Sequence, residues 1–146
     1  MVLMALFLAF IAGIAMAVQG TLNTGLGKII GLVESTFVVH VIGTIVLVVL
    51  LFLLRLGRGE LSRVTNVPWY LYLGGVISVL ILYTVQAGIS RLGVANATTA
   101  IIVGQVGAAL LLDCLGCFGL EKIPFTWFKA LGVALLAAGA KLMLMK

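Results

Sequence analysis

The fold of this chain is decided by its first apolar run, "VLMALFLAFIAGIAMAVQGTL", residues 2–22. The run has no charged side chain, and roughly 20 apolar residues suffice for a helix to cross the hydrocarbon core of a bilayer. Its apolar residues are continuous rather than alternating, which argues against a membrane strand. Because backbone in lipid must satisfy its own hydrogen bonds, the run predicts a transmembrane helix.

Four further runs of the same kind follow, near residues 35–54, 68–89, 94–112 and 124–145. The composition agrees, with 64% hydrophobic residues, 9% charged residues and a mean hydropathy of +1.35. The longest connection is residues 55–67, which is too short for a soluble domain. The sequence therefore predicts an all-α integral membrane protein. We expect one five-helix domain, residues 1–146, in the inner or plasma membrane.

Two prolines precede predicted spans, where a proline in the first turn of a helix is harmless. Pro68 opens the third span and Pro124 opens the fifth. Trp69 and Trp127 follow them at the depth of an interfacial aromatic belt.

The net charge of +5 does not indicate a nucleic-acid partner, because the nine basic residues are scattered over short connections. Five spans place four of these residues on one side of the membrane and five on the other. The first group is Lys28, Arg91, Lys141 and Lys146, and the second is Arg55, Arg58, Arg63, Lys122 and Lys129. Since Lys/Arg asymmetry normally sets orientation, we expect the chain to insert both ways. Two oppositely inserted copies can then meet as an antiparallel pair, which is the geometry of an inverted-repeat transporter.

Small residues recur on single helix faces, as close helix packing in lipid requires. Helix 1 carries Gly13, Ala17 and Gly20, and helix 4 carries Gly104 and Ala108. These residues are predicted packing positions.

Amide side chains inside the spans are the strongest functional signal, because a buried amide without a partner is costly. Gln19 and Asn23 lie one helical turn apart in helix 1, and Gln86 and Gln105 lie in helices 3 and 4. One interpretation is that these amides only join helices. The other is that they line a central cavity and bind a substrate.

Several short motifs occur in order along the chain. They are Gln19-Gly20-x-x-Asn23, Gly43-Thr44, Pro68-Trp69, Leu92-Gly93, and Gly104-Gln105 followed by Leu110 to Asp113. Their order resembles the short, five-helix YdcZ-type branch of the drug/metabolite transporter (DMT) superfamily. The resemblance implies inward- and outward-facing states, a substrate cavity lined by helices 1 to 4, and antiparallel homodimers or pairs of related chains.

One departure from related transporters concerns helix 1. Small multidrug resistance proteins of that superfamily carry a glutamate there, which exchanges protons for cationic substrates. Helix 1 of this chain has no acidic residue and presents Gln19 and Asn23 instead. The resemblance therefore favours a neutral or zwitterionic substrate held by amide hydrogen bonds.

Two ionisable residues are candidates for coupling transport to protons. His40 lies well inside helix 2, where it is either a proton site or a hydrogen-bonded structural residue. Glu34 precedes helix 2, where a carboxylate also favours the helix dipole. Asp113 closes helix 4 and is expected at the interface.

The sequence gives little support for an enzyme. One histidine and no pair of intramembrane acids cannot form a catalytic triad or a metal hydrolase, and no P-loop is present. Cys114 and Cys117 have C-x-x-C spacing, but a lone pair is a weak metal or redox signal. We expect no enzyme activity, no metal and no cofactor.

Two functional hypotheses from different classes follow. The first is a secondary transporter of a small metabolite or drug-like solute, working by alternating access as a dual-topology homodimer. The second is a membrane subunit or scaffold that transports nothing and whose amides only hold helices together.

Overall fold

The computed structural model describes residues 1–145, which form five α-helices and no strand. The helices are α1 (Val2–Ile30), α2 (Leu32–Val48), α3 (Leu73–Leu92), α4 (Val94–Leu115) and α5 (Trp127–Leu144). Together with the short segments that extend α2 and α3, all five are long and apolar enough to cross a membrane. The predicted all-α membrane fold is confirmed.

Short irregular helices extend or link the spans. A π-helical turn, Val49–Leu53, continues α2, and a 3-10 turn, Trp69–Tyr72, leads into α3. Two further 3-10 turns, Leu61–Asn66 and Cys117–Gly119, lie in the connections.

Helix α1 extends to Ile30, whereas the sequence places the end of the first span near residue 22. Polar side chains are accommodated here within the helix, since the hydroxyls of Thr21 and Thr24 donate to the carbonyls of Ala17 and Gly20. The helix ends at Gly31, where φ is +104°, a backbone conformation that favours glycine. Its 29 residues span about 43 Å, more than the roughly 30 Å hydrocarbon core.

The two prolines lie outside the α-helices they precede. Pro68 comes directly before the 3-10 turn that leads into α3, and α5 begins at Trp127, three residues after Pro124. Thr126 is the N-cap of α5, and its hydroxyl accepts a hydrogen bond from the Lys129 amide at 3.3 Å. This cap fixes the start of the helix more strongly than the proline does.

The described residues form two compact units, Met1–Ser90 and the part from Arg91 onward. In the first unit α1 packs against α2, and side chains of α3 contact both helices. In the second unit α4 packs against α5. Each unit is described by itself below, and the single five-helix domain stays a prediction.

The interior of the first unit is mainly small and polar, and its outer surface is apolar. Ile89 is its only large apolar residue that is buried, while leucine, isoleucine, valine and phenylalanine side chains along all three helices are exposed. The distribution is the reverse of a water-soluble core and suits helices surrounded by lipid, where small side chains allow close packing. Any chemistry of this unit therefore lies in its polar interior.

Candidate functional site

The buried polar residues of the first unit gather where three helix ends meet. These ends are the carboxyl ends of α1 and α3 and the amino end of α2. The polar residues buried there are Asn23, Thr24, Ser35, Thr36 and Gln86. We call this set, together with His40 and Ser78 further along α2 and α3, the polar seam.

Gln86 is the fully buried centre of the seam. Its Oε1 accepts a hydrogen bond from the Ser35 hydroxyl at 2.5 Å, and its Nε2 donates to the Thr36 hydroxyl at 3.0 Å. Thr36 in turn donates to the Leu32 carbonyl at 2.8 Å. One amide of α3 therefore joins two consecutive residues of α2, as expected for a buried amide in lipid.

Helix α1 approaches the seam through two glycines seven residues apart. A Cβ on Gly27 would lie 2.8 Å from Gln86 Oε1 and 3.2 Å from Ser35 Oγ. A Cβ on Gly20 would lie 2.8 Å from a terminal methyl of Ile89. A side chain at either position would require a neighbour to move, because the α1 backbone lies directly against α3 side chains.

His40 forms the inner end of the seam, eight residues or about 12 Å beyond the start of α2. Its Nδ1 lies 2.8 Å from the Thr36 carbonyl oxygen, and its Nε2 lies 3.0 Å from Ser78 Oγ on α3. Thr44 continues the same face of α2 and donates to the His40 carbonyl. The seam therefore has two cross-links between α2 and α3, one at Gln86 and one at His40.

Asn23 differs from the other buried polar residues. It is only 7% exposed, yet its amide forms no hydrogen bond with any residue that the structure describes. Each fully enclosed polar side-chain atom of residues 1–145 has a partner, so the Asn23 amide still reaches the surface of the seam. It is an amide held in a confined place with its donors and acceptor free, which a polar solute can use.

The other predicted binding residues are more exposed. Gln19 is exposed on α1, one turn before Asn23, and Gln105 is exposed on α4 in the second unit. Glu34 is exposed in the first turn of α2, with its carboxylate against Gly31. The structure therefore brings Asn23, Gln86 and His40 into one seam, and it leaves Gln19, Gln105 and Glu34 at surfaces.

The predicted packing residues divide in a similar way. Gly20 is buried against α3 and Ala17 is partly buried, whereas Gly13 and Gly104 have open space around them and Ala108 is exposed. The open positions have no packing partner among residues 1–145.

The sequence interpretation missed Ser35 and Thr36, which are central to the seam. The predicted second span begins near residue 35, so both residues lie at the start of a helix, where hydroxyl side chains are common as caps. The spacing of Thr36, His40 and Thr44, four residues each, marks them as one face of α2 and was the available signal.

The second unit contains an open groove of about 540 Å³ between α4 and α5. It is lined by Ala100, Val103, Ala137, Ala140, Lys141, Leu144 and Met145. The lining is apolar apart from Lys141, so it lacks the convergent polar groups of a solute site.

Among residues 1–145, no three histidine, cysteine, aspartate or glutamate side chains are grouped as metal ligands. Cys114 and Cys117 are free, partly buried thiols at the end of α4 and in the turn after it.

The fold and the seam define a multi-pass α-helical membrane protein with a polar interior. A family model described as "Putative inner membrane exporter, YdcZ" matches residues 4–142. The chain belongs to this DMT_YdcZ family, as the motif order predicted, and is a multi-pass protein of the inner membrane. Membership of an exporter family supports a transporter. Neither the search of curated proteins nor the search of solved structures found a match.

Proposed function

We propose that this protein is a secondary transporter that exports a small neutral or zwitterionic solute by alternating access. The observation that supports it most directly is Asn23, a nearly buried amide without a hydrogen-bond partner in the described chain. A buried amide that only joined helices would be bonded, as Gln86 is. An unbonded amide at the rim of the seam costs free energy that a solute recovers on binding.

Gln19 extends the same site outward along α1. It lies one helical turn from Asn23 and is exposed, so a solute that binds Asn23 can also contact it. Amides both donate and accept hydrogen bonds, which suits a neutral or zwitterionic group better than a simple cation. No acidic residue of α1 offers a cation a counter-charge.

The proposed assembly is an antiparallel pair of two copies. The near balance of basic residues across the membrane supports insertion in both orientations. The open small-residue positions at Gly13 and Gly104 support close contact with a second copy, because close packing in lipid uses such residues. Two opposite copies supply the halves of an inverted-repeat transporter, in which each half has the seam described above.

The alternative function, a membrane subunit that transports nothing, is favoured by one observation. The amide of Gln86 is fully used in joining α2 and α3, with both its oxygen and its nitrogen bonded. If every amide of the chain behaved in this way, the polar residues would hold helices together and do nothing else.

Counterflow into proteoliposomes separates the two functions. Vesicles containing purified protein are loaded with one of three unlabelled solutes, and the radiolabelled form of the same solute is then added outside. The solutes are a zwitterionic amino acid, a neutral polyol and a quaternary ammonium ion. We expect uptake of a zwitterionic or neutral probe, at least tenfold lower in Asn23→Ala. We expect little change in Asn96→Ala, which truncates a less buried asparagine on α4, outside the seam. Counterflow of the ammonium ion alone contradicts the proposed substrate class, and equal counterflow in Asn23→Ala contradicts the proposed site.

A further inference from the structure

His40 is the only histidine of the chain, and both of its ring nitrogens have a fixed neighbour. Nδ1 faces the Thr36 carbonyl oxygen at 2.8 Å, within α2. Nε2 faces Ser78 Oγ at 3.0 Å, across the gap to α3. The ring is partly buried at the inner end of the polar seam.

The Thr36 carbonyl determines the tautomer of the neutral ring. A carbonyl oxygen only accepts hydrogen bonds, so Nδ1 must carry the hydrogen that bonds with it. In the neutral ring Nε2 then has a free lone pair, and that lone pair faces Ser78. Nε2 is the nitrogen that can take up a proton.

Ser78 can serve either protonation state of the ring. Its hydroxyl has one hydrogen and two acceptors within reach, His40 Nε2 at 3.0 Å and the Gly75 carbonyl oxygen at 2.7 Å. A hydroxyl oxygen also accepts a hydrogen bond when its own hydrogen points elsewhere. The same positions of the heavy atoms therefore satisfy both a neutral imidazole and an imidazolium.

We propose that His40 Nε2 is a proton-binding site, and that a bound proton reverses the hydrogen bond between α2 and α3. In the neutral state the Ser78 hydroxyl donates to Nε2. When a proton from water binds Nε2, the new N–H donates to Ser78 Oγ and the hydroxyl hydrogen turns to the Gly75 carbonyl. One proton is gained, and no heavy atom has to move. As the coupling site for export, His40 rests on the transporter function proposed above.

His40 is the only titratable side chain among the residues of the polar seam. The other titratable side chains on α1, α2 and the α3 segment of this unit are Lys28, Glu34 and Tyr83, and all three are exposed. None of them forms a hydrogen bond with the imidazole. The titratable side chains of the connection between α2 and α3 are exposed as well. Proton binding at His40 thus adds a charge to the seam without an acidic partner.

Nuclear magnetic resonance of protein labelled with ¹⁵N-histidine tests the site directly. Because the chain has one histidine, a preparation with a non-histidine tag gives the signals of one imidazole. Over a titration from high to low pH we expect a neutral ring with its proton on Nδ1, followed by uptake of a second proton at Nε2. A neutral ring protonated on Nε2, or a ring that keeps one protonation state throughout the titration, overturns the proposal.

A second label tests the reversal at Ser78. Carbonyl-¹³C glycine combined with ¹⁵N-valine selects three peptide bonds, after Gly75, Gly93 and Gly132. We expect only the Gly75 signal to follow the titration of His40, because only its carbonyl accepts from Ser78. The dependence should disappear in Ser78→Ala, while Nδ1 keeps its proton because Thr36 still accepts it. A Gly75 signal that is constant across the titration refutes the reversal, and the wild-type spectra decide this even if the variant does not fold.

Counterflow and flux under an imposed pH gradient separate this inference from the proposed function. Flux that responds to the gradient in wild type and not in His40→Gln supports coupling at His40. Flux that depends on Asn23 and ignores the gradient keeps the transporter and removes the coupling role. If no probe is transported while the imidazole titrates as expected, the proton site stands and the proposed function fails.

Discussion

Two amide side chains of the first unit are both buried, but only one of them is hydrogen-bonded within the chain. Gln86 bonds with Ser35 and Thr36, whereas Asn23 bonds with no described residue. At the scale of single residues, burial of an amide therefore does not say what the amide does. Gln86 joins α2 and α3, whereas Asn23 is the amide proposed above to bind the solute.

Truncation of each amide distinguishes these roles by stability. Gln86→Ala removes two buried hydrogen bonds and leaves a cavity, so we expect the free energy of unfolding to fall by about 1–3 kcal/mol. Asn23→Ala removes no hydrogen bond within the chain, and we expect a change below about 0.5 kcal/mol. Reversible unfolding in mixed detergent micelles, followed by circular dichroism, measures both. If Asn23→Ala were as destabilising as Gln86→Ala, Asn23 would be a structural residue and its proposed role in binding would be wrong.

The sequence identifies the candidate polar residues well, because an amide or imidazole inside an apolar run stands out. It does not say which of them are bonded, since that depends on which helix lies opposite. Gln19 and Asn23 lie one turn apart on α1, yet one is exposed and the other is buried. Ser35 and Thr36 were missed because a hydroxyl at a helix start has a local explanation.

At the scale of helices, the position of α1 depends on two glycines. Gly20 contacts Ile89 and Val85, and Gly27 contacts Gln86 and Ser35. Both contacts are too close for a Cβ atom without movement of a neighbour. The neighbour at Gly27 is itself held by two hydrogen bonds, so it cannot move freely.

Alanine scanning of the α1 glycines tests this close approach. Gly27→Ala should separate α1 from the seam and lower the free energy of unfolding by about 1–3 kcal/mol, as overpacking does in a close-packed interior. Gly25→Ala is the matched control, because Gly25 lies on the same helix with nothing within 4 Å of its Cβ position. Replacement of an exposed helical glycine by alanine is expected to be neutral or stabilising by up to about 1 kcal/mol. Equal effects of the two substitutions, measured by thermal unfolding, would show that α1 does not lie against Gln86.

The five helices follow from the sequence because length and continuous hydropathy alone determine whether a segment spans a bilayer. Their ends do not follow as directly. The α1 extension to Ile30 is polar in places, and its Thr24 hydroxyl is satisfied by the Gly20 carbonyl of the same helix. The start of α5 depends on a threonine cap rather than on the proline before it.

For the whole molecule, the proposed pairing depends on insertion in both orientations. Connections alternate between the two sides of a membrane, so the α2–α3 and α4–α5 connections share one side. That side has five basic residues and the other has four. Such a small difference in basic residues is not expected to fix one orientation by the positive-inside rule.

The cysteines report this orientation, because Cys114 and Cys117 are the only thiols and lie at the α4–α5 connection. We expect a membrane-impermeant maleimide to label about half of the protein from the periplasmic side, and the remainder only after the membrane is opened. Replacing Arg55, Arg58 and Arg63 with glutamine leaves two basic residues on the cysteine side against four on the other. By the positive-inside rule, the cysteine side then faces outward and the fraction labelled from outside rises well above half. The Cys114→Ser/Cys117→Ser variant gives the background. Complete labelling of wild-type protein from one side would establish a single orientation, and an antiparallel pair would then need a second, oppositely inserted chain.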